Sequence, residues 1–237
     1  MTDNSFGRLA GALFAPGKTF ESIDKRPTWL VALLALMLGF GILSLAVHQR
    51  TDYREILPRS LETRGIGFSE RRTQQAVEMS ERLGPLNASL KALSVGVLFC
   101  LFAVFYWVAF RLMGSTLTYR QSLATCVHGA LPLVVYWLLA ALVVLGRGSL
   151  TYEALSTRDF LPLNLNLGVF APEGASVFLR SFLVGFDVFT LWSVALLTLG
   201  YRVVAKISTV SAAVVVAVFW LLGLQVCFAG LGVGGLR

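Results

Sequence analysis

Phe182-Leu183-Val184-Gly185-Phe186-Asp187-Val188-Phe189-Thr190-Leu191-Trp192-Ser193-Val194-Ala195-Leu196-Leu197-Thr198-Leu199 is apolar apart from one carboxylate and a few hydroxyls. Such a segment reads as a membrane-crossing helix, because about twenty residues rising 1.5 Å each traverse a hydrocarbon layer of roughly 30 Å. Asp187 near the middle of that span would cost roughly 2.5 to 3.5 kcal/mol to insert, so it requires a partner and a reason.

Working outward, the window holding this stretch runs from Val177 to Tyr201, and four others match it: Trp29 to Val47, Ala92 to Met113, Leu123 to Leu145 and Val210 to Leu231. Composition agrees. With 56% hydrophobic and 14% charged residues and a mean hydropathy of +0.74, the chain carries too little charge to cover a soluble domain of 237 residues. The fold class is therefore all-α, a polytopic membrane protein. It has five transmembrane helices, N-terminal interfacial amphipathic helices and a small helical extramembrane insert. Residues 1–28 form the interfacial segment, and 29–237 the membrane domain, within which 49–91 is the insert.

The net charge of +7 does not point to nucleic acid, because the basic residues are scattered between apolar spans rather than gathered in one aromatic-interleaved stripe. Acidic lipid headgroups are the expected counterpart. Cys100, Cys126 and Cys227 all fall in apolar runs and have neither disulfide nor metal-ligand spacing. No phosphate loop, zinc-binding helix or nucleophile elbow is present, and the histidines are His48 and His128 alone. The expectation is a protein without catalysis, metal or cofactor.

The first apolar window follows a polar stretch without a cleavage pattern, so it reads as a retained span. Lys and Arg are divided almost evenly between the two sides. The short N-terminal tail, weighed above the charge-balanced insert, puts the N-terminus in the cytoplasm, and the membrane is expected to be a prokaryotic cytoplasmic one. In the tail, Phe6, Leu9, Ala10, Leu13 and Phe14 recur on one helical face, Pro16-Gly17 breaks the pattern, and Phe20 and Ile23 begin another. Phe14, Lys18, Phe20, Arg26 and Trp29 are the candidate interfacial contacts, with the cations meeting phosphates and Trp29 in the aromatic belt. The same apolar residues could instead plug the bundle from below, and the two arrangements are compatible.

In the insert, Glu70 to Leu83 reads as a helix stopped by Gly84-Pro85, supported by an i,i+4 pair of Glu78 and Arg82. It is too small to bury its own core. The loop from Gly146 to Ser176 is expected to fold over the bundle mouth, with Ala171-Pro172-Glu173 opening the fourth helix. On that helix Ser176, Arg180, Thr190, Thr198 and Tyr201 share a face with Asp187. His128, on the antiparallel third span, falls at a similar depth. Asp187, Arg180, Thr190 and His128 therefore form the candidate intramembrane polar site. Either it is a relay for proton-coupled transport, or Asp187 is fixed by neighbouring donors and locks helix positions.

Leu13-Phe14-Ala15-Pro16-Gly17-Lys18-Thr19-Phe20, followed by Ile23, Arg26-Pro27 and Trp29, resembles the opening of prokaryotic Yip-domain proteins. Asp187-Val188-Phe189-Thr190-Leu191-Trp192, followed by Gly200 and Lys206, is similar to their Asp-x-Phe-x-x-Trp segment. The resemblance covers almost the whole chain and rests on the order of short strings around five spans. It implies a five-helix membrane domain with a cytoplasmic N-terminal segment and no catalytic role. Eukaryotic relatives associate with Rab-type GTPases in vesicle traffic. This sequence lacks their long disordered N-terminus, which speaks against GTPase binding. Some bacterial relatives are thought to assist multicomponent transporters. The resulting expectation is a membrane adaptor binding lipids and other membrane proteins, such as transporter complexes, with self-association left open. The alternative is a small-solute or proton-coupled transporter using the stripe around Asp187.

Overall fold

The computed structural model describes residues 4–63, 69–152 and 185–220, together with 65, 67, 155, 167–172, 174–176, 179 and 183. Among the described residues the regular elements are helices, and an isolated bridge joins Thr51 to Leu150. Helix α1 (Ser5–Phe14) starts where the Asn4 side chain accepts a hydrogen bond from the Gly7 amide at 2.6 Å. Helix α2 (Pro16–Lys25) opens on proline, which has no amide hydrogen to leave unsatisfied in a first turn. Gly11 makes the α1–α2 hairpin tight, since a Cβ there would stand 2.5 Å from Thr19 Oγ1.

Helix α3 (Leu30–Arg50) is gripped on two sides through small residues. Gly39 lies against Val134 and Trp137 of α7 (Leu131–Gly146), and Gly41 lies against Ala92 of α5 (Glu70–Leu112). Gly96 of α5 meets Met37 in return. Close backbone approach and dispersion, rather than hydrophobic transfer, hold such helices together in lipid. The remaining side of α3 exposes Leu30, Leu34, Leu38, Ile42 and Leu45 in a continuous row. Comparable rows run along α5 (Leu93, Val97, Leu101, Val104) and α7 (Leu138, Leu142, Leu145). Rows of exposed leucine and valine at helical spacing suit lipid and are a liability in water.

Among the described residues, three helical stretches are long and apolar enough to cross a membrane: Leu30–Arg50, Glu70–Leu112 and Tyr119–Gly146. Helix α8 (Val188–Val204) and α9 (Thr209–Phe219) are apolar but shorter. The windows expected from Val177 and up to Leu231 are therefore only partly seen. Several positions between 177 and 184, and everything beyond 220, lie outside the described residues.

Four expectations are corrected. The helix thought to stop at Gly84-Pro85 continues through both residues, and α5 is 43 residues long, or about 65 Å. Gly84 is the slot that admits the His48 ring rather than a terminator. Glu78 and Arg82 form no ion pair. Arg54 of α4 (Tyr53–Thr63) reaches Glu81 at 3.4 Å instead, tying α4 to α5. The third span is not one helix either. It consists of α6 (Tyr119–Gly129) and α7, jointed at Ala130, because Pro132 lacks the amide a continuous helix needs. Gly129 at the joint admits Leu197 of α8. Finally, Ala171 and Pro172 are not helical, and the helix that carries Thr190 and Trp192 begins at Val188.

The core gathers where α5, α6 and α8 meet the N-terminal hairpin. Tyr201 is fully buried between Tyr106 and Phe110, with ring centroids at 4.7 and 4.8 Å. Its hydroxyl donates to the Ser122 carbonyl at 3.1 Å. Ser122 Oγ in turn donates to the Ala103 carbonyl at 2.8 Å, which joins the three helices by polar contacts no lipid could supply.

Candidate functional site

Asp187 is not a charge within a helix. Its backbone is extended, and it is the N-cap of α8. Oδ1 accepts from the amides of Phe189 at 2.8 Å and Thr190 at 3.0 Å, while Oδ2 accepts from the Thr190 hydroxyl. A carboxylate at a helix N-terminus meets orphan amides and the positive end of the macrodipole, which removes the need for a distant partner. Arg180 lies outside the described residues. His128 is buried in α6, and its Nδ1–H donates to the Ala124 carbonyl at 2.8 Å, one turn back on the same helix. The structure thus joins Asp187 to Thr190 and does not join either to His128. Of the expected stripe, Thr190, Thr198 and Tyr201 lie on α8, whereas Ser176 belongs to a separate segment whose Oγ accepts from the Leu179 amide at 3.2 Å.

A denser polar junction forms at the end of the bundle that carries the N-terminal hairpin. Arg8 is buried, with Nη1 donating to the Arg26 carbonyl at 2.6 Å and Thr28 Oγ1 at 2.9 Å, and Nη2 donating to Ser22 Oγ at 2.7 Å. The planar fork of one guanidinium thereby fixes α1 to both ends of the α2–α3 connection. Asp24 extends the lock to the bundle: Gln121 Nε2 donates to its Oδ1 at 2.8 Å, and Lys206 Nζ lies 3.6 Å from Oδ2. Gln121 also completes the capping box with Thr118 that starts α6. Lys206 sits in the tight α8–α9 turn with φ +56°, and among the described residues it is the one non-glycine with positive φ. Ser115, before α6, donates to the Ala205 carbonyl of the same turn at 2.7 Å.

This lock corrects the reading of Phe20. Its ring is fully buried and would stand 2.8 Å from a Cβ at position 200, so it packs into the bundle instead of meeting lipid. Trp29 is half-buried against the core. Phe14, Lys18 and Arg26 are exposed, and Phe6 joins Phe14 on the outward face of α1, at 72% and 80% exposure. Leu9 and Leu13, expected on that face, turn inward. Lys18, Lys25, Arg111, Arg120, Arg202 and Lys206 are all exposed at the end of the bundle that carries the hairpin. Arg8 escaped notice in the sequence because its acceptors lie on other segments, and nothing local separates it from a solvated basic tail.

A bundle of apolar helices with lipid-suited outer rows and an N-terminal hairpin locked onto one end defines a helical integral membrane protein. The Yip1 domain family matches residues 10–230, and the chain belongs to that family. It is similar to a Bacillus subtilis (strain 168) protein described as membrane protein YknW, 27% identical over 208 residues, which span 84% of this chain and 79% of the relative. No solved structure matches.

Proposed function

We propose that this Yip1-family protein is a non-enzymatic adaptor of a prokaryotic cytoplasmic membrane. It crosses the bilayer five times with its N-terminus in the cytoplasm, and it organises other membrane proteins, such as transporter complexes, together with lipids. One observation carries the reading. The α1–α2 hairpin is clamped inward by Arg8, Asp24 and Lys206 yet holds Phe6 and Phe14 outward, at the end of the bundle that carries the exposed cations. Two exposed aromatics on a fixed helix form an amphipathic docking surface whose ordering cost is already met before a partner arrives. Shared basic character at this end supports the cytoplasmic placement.

Affinity purification in mild detergent followed by mass spectrometry is expected to recover specific membrane proteins. The double variant Phe6→Asp, Phe14→Asp is expected to lose them without a change in melting temperature, since both side chains are exposed. Recovery of this chain alone from cells that express it stably, or equal recovery by the variant, overturns the reading. The transporter alternative has no relay to rest on among the described residues, because Asp187 and His128 each bond within their own helix. Equal flux in vesicles holding wild type and Asp187→Asn would remove it.

A further inference from the structure

The C-terminal end of α3, the first turn of α4 and the middle of α5 enclose a cleft of about 390 Å³. Its polar lining consists of Ser44, His48, Tyr53, Asn87, Lys91 and Ser94. The cleft is built rather than incidental: Gly84 lets the imidazole of His48 sit directly on the α5 backbone, and the Tyr53 hydroxyl holds Nδ1 at 2.9 Å. The tautomer in which the Tyr53 hydroxyl donates to Nδ1 carries the imidazole proton on Nε2, where it can donate.

Two independent rulers place the cleft at the edge of the hydrocarbon layer. On α5, residues 92–110 between Lys91 and Arg111 carry no charge and span roughly 28 Å, close to a bilayer core. On α3, residues 30–47 before His48 are likewise uncharged and span about 27 Å. The two runs are offset, because Gly41 packs against Ala92 and His48 against Gly84, so Lys91 stands about 9 Å closer to the bilayer centre than His48 and the cleft spans the headgroup boundary between them. Leu90 lines the cleft, and Val97 and Leu101, spaced for the same side of α5, are exposed with it. Lys91 makes no ion pair among the described residues, whereas the neighbouring Arg54 and Arg59 are matched to Glu81 and Glu55.

We infer that this cleft binds the phosphate-bearing headgroup of a membrane phospholipid, with Lys91 meeting the phosphate, Asn87 and His48 offering further hydrogen bonds, and an acyl chain lying along Leu90, Val97 and Leu101. The apolar row is what favours a lipid over free phosphate. The site is at the opposite end of α3 from the docking hairpin and does not rest on the adaptor reading.

The full chain, stripped of lipid in detergent, can be titrated with phosphatidylglycerol and, separately, with inorganic phosphate, and binding read by native mass spectrometry. Wild type is expected to bind phosphatidylglycerol. Lys91→Gln is expected to bind it about tenfold or more weakly, the loss of one charge-assisted hydrogen bond. Lys91→Arg should recover most of the affinity, and Arg71→Gln, on the same helix away from the cleft, should change nothing. Asn87→Ala gives a second reading, with weaker binding expected, should Lys91→Gln perturb folding. Equal affinity of wild type and both cleft variants overturns the assignment, and so does inorganic phosphate that binds alone and displaces the lipid.

Discussion

The imidazole of His48 occupies the space a side chain at position 84 would need: a Cβ on Gly84 would lie 1.8 Å from Cε1 and 2.1 Å from each ring nitrogen. Alanine in a helix interior ordinarily gains about 1 kcal/mol over glycine. At this position overpacking of about 1 to 3 kcal/mol opposes that gain. Gly84→Ala is therefore expected to lower the melting temperature in detergent. Gly17→Ala, in α2 with nothing near its Cβ, is expected to leave it unchanged or raise it. Equal shifts for the two would show that His48 does not pack as described.

Arg8 supplies the donors for one carbonyl and two hydroxyls at the α2–α3 connection. Arg8→Met keeps the stem and removes the fork, and leaving those groups unpaired is expected to cost about 1 to 3 kcal/mol. Limited proteolysis between Arg26 and Trp29 should quicken in parallel. Arg8→Lys is not expected to restore protection, since a single ammonium cannot match the planar geometry.

Asp187→Ala removes an N-cap, and the expected loss is about 1 kcal/mol, read as a lower melting temperature. Asp187→Ser should retain most of the stability, because a hydroxyl can still accept from the Phe189 and Thr190 amides. A carboxylate acting as a proton relay would instead leave serine as damaging as alanine in any flux assay.

Burial raises the Tyr53 hydroxyl above its ordinary value of 10.0. The unfolded chain then gives up this proton first as pH climbs. The stability tied to Tyr53 is fully present below pH 10 and is lost as pH rises through the higher folded value. Alkaline melting curves should show this loss in wild type and a shallower one in Tyr53→Phe. Identical slopes would mean that Tyr53 is not shielded.

The sequence made the lipid-facing character, the α1–α2 break at Pro16 and the placement of α3 legible, because each depends on local periodicity or on a proline. Asp187 was misplaced for an instructive reason. Hydropathy reports which residues prefer lipid but not where a helix starts, and Phe182 to Phe186 masked the local signature of an acid followed three residues later by threonine. Gly84-Pro85 was misread because the partner that explains it, His48, is distant in sequence. A proline in a helix is a local penalty that packing can override. Phe20 and Arg8 share that origin: periodicity assigns a residue to a face, yet what covers the face is chosen by segments elsewhere in the chain.

The hairpin lock also orders events in time. Phe20 seats against Gly200 and Asp24 against Lys206, so the first helices made are completed by some of the last. At roughly 5 to 20 residues per second, the ribosome needs about ten to forty seconds to pass from one partner to the other. Through that interval the buried faces of α1 and α2 stand open, and the nascent chain must rest on the membrane surface or on an assembly factor until α8 arrives.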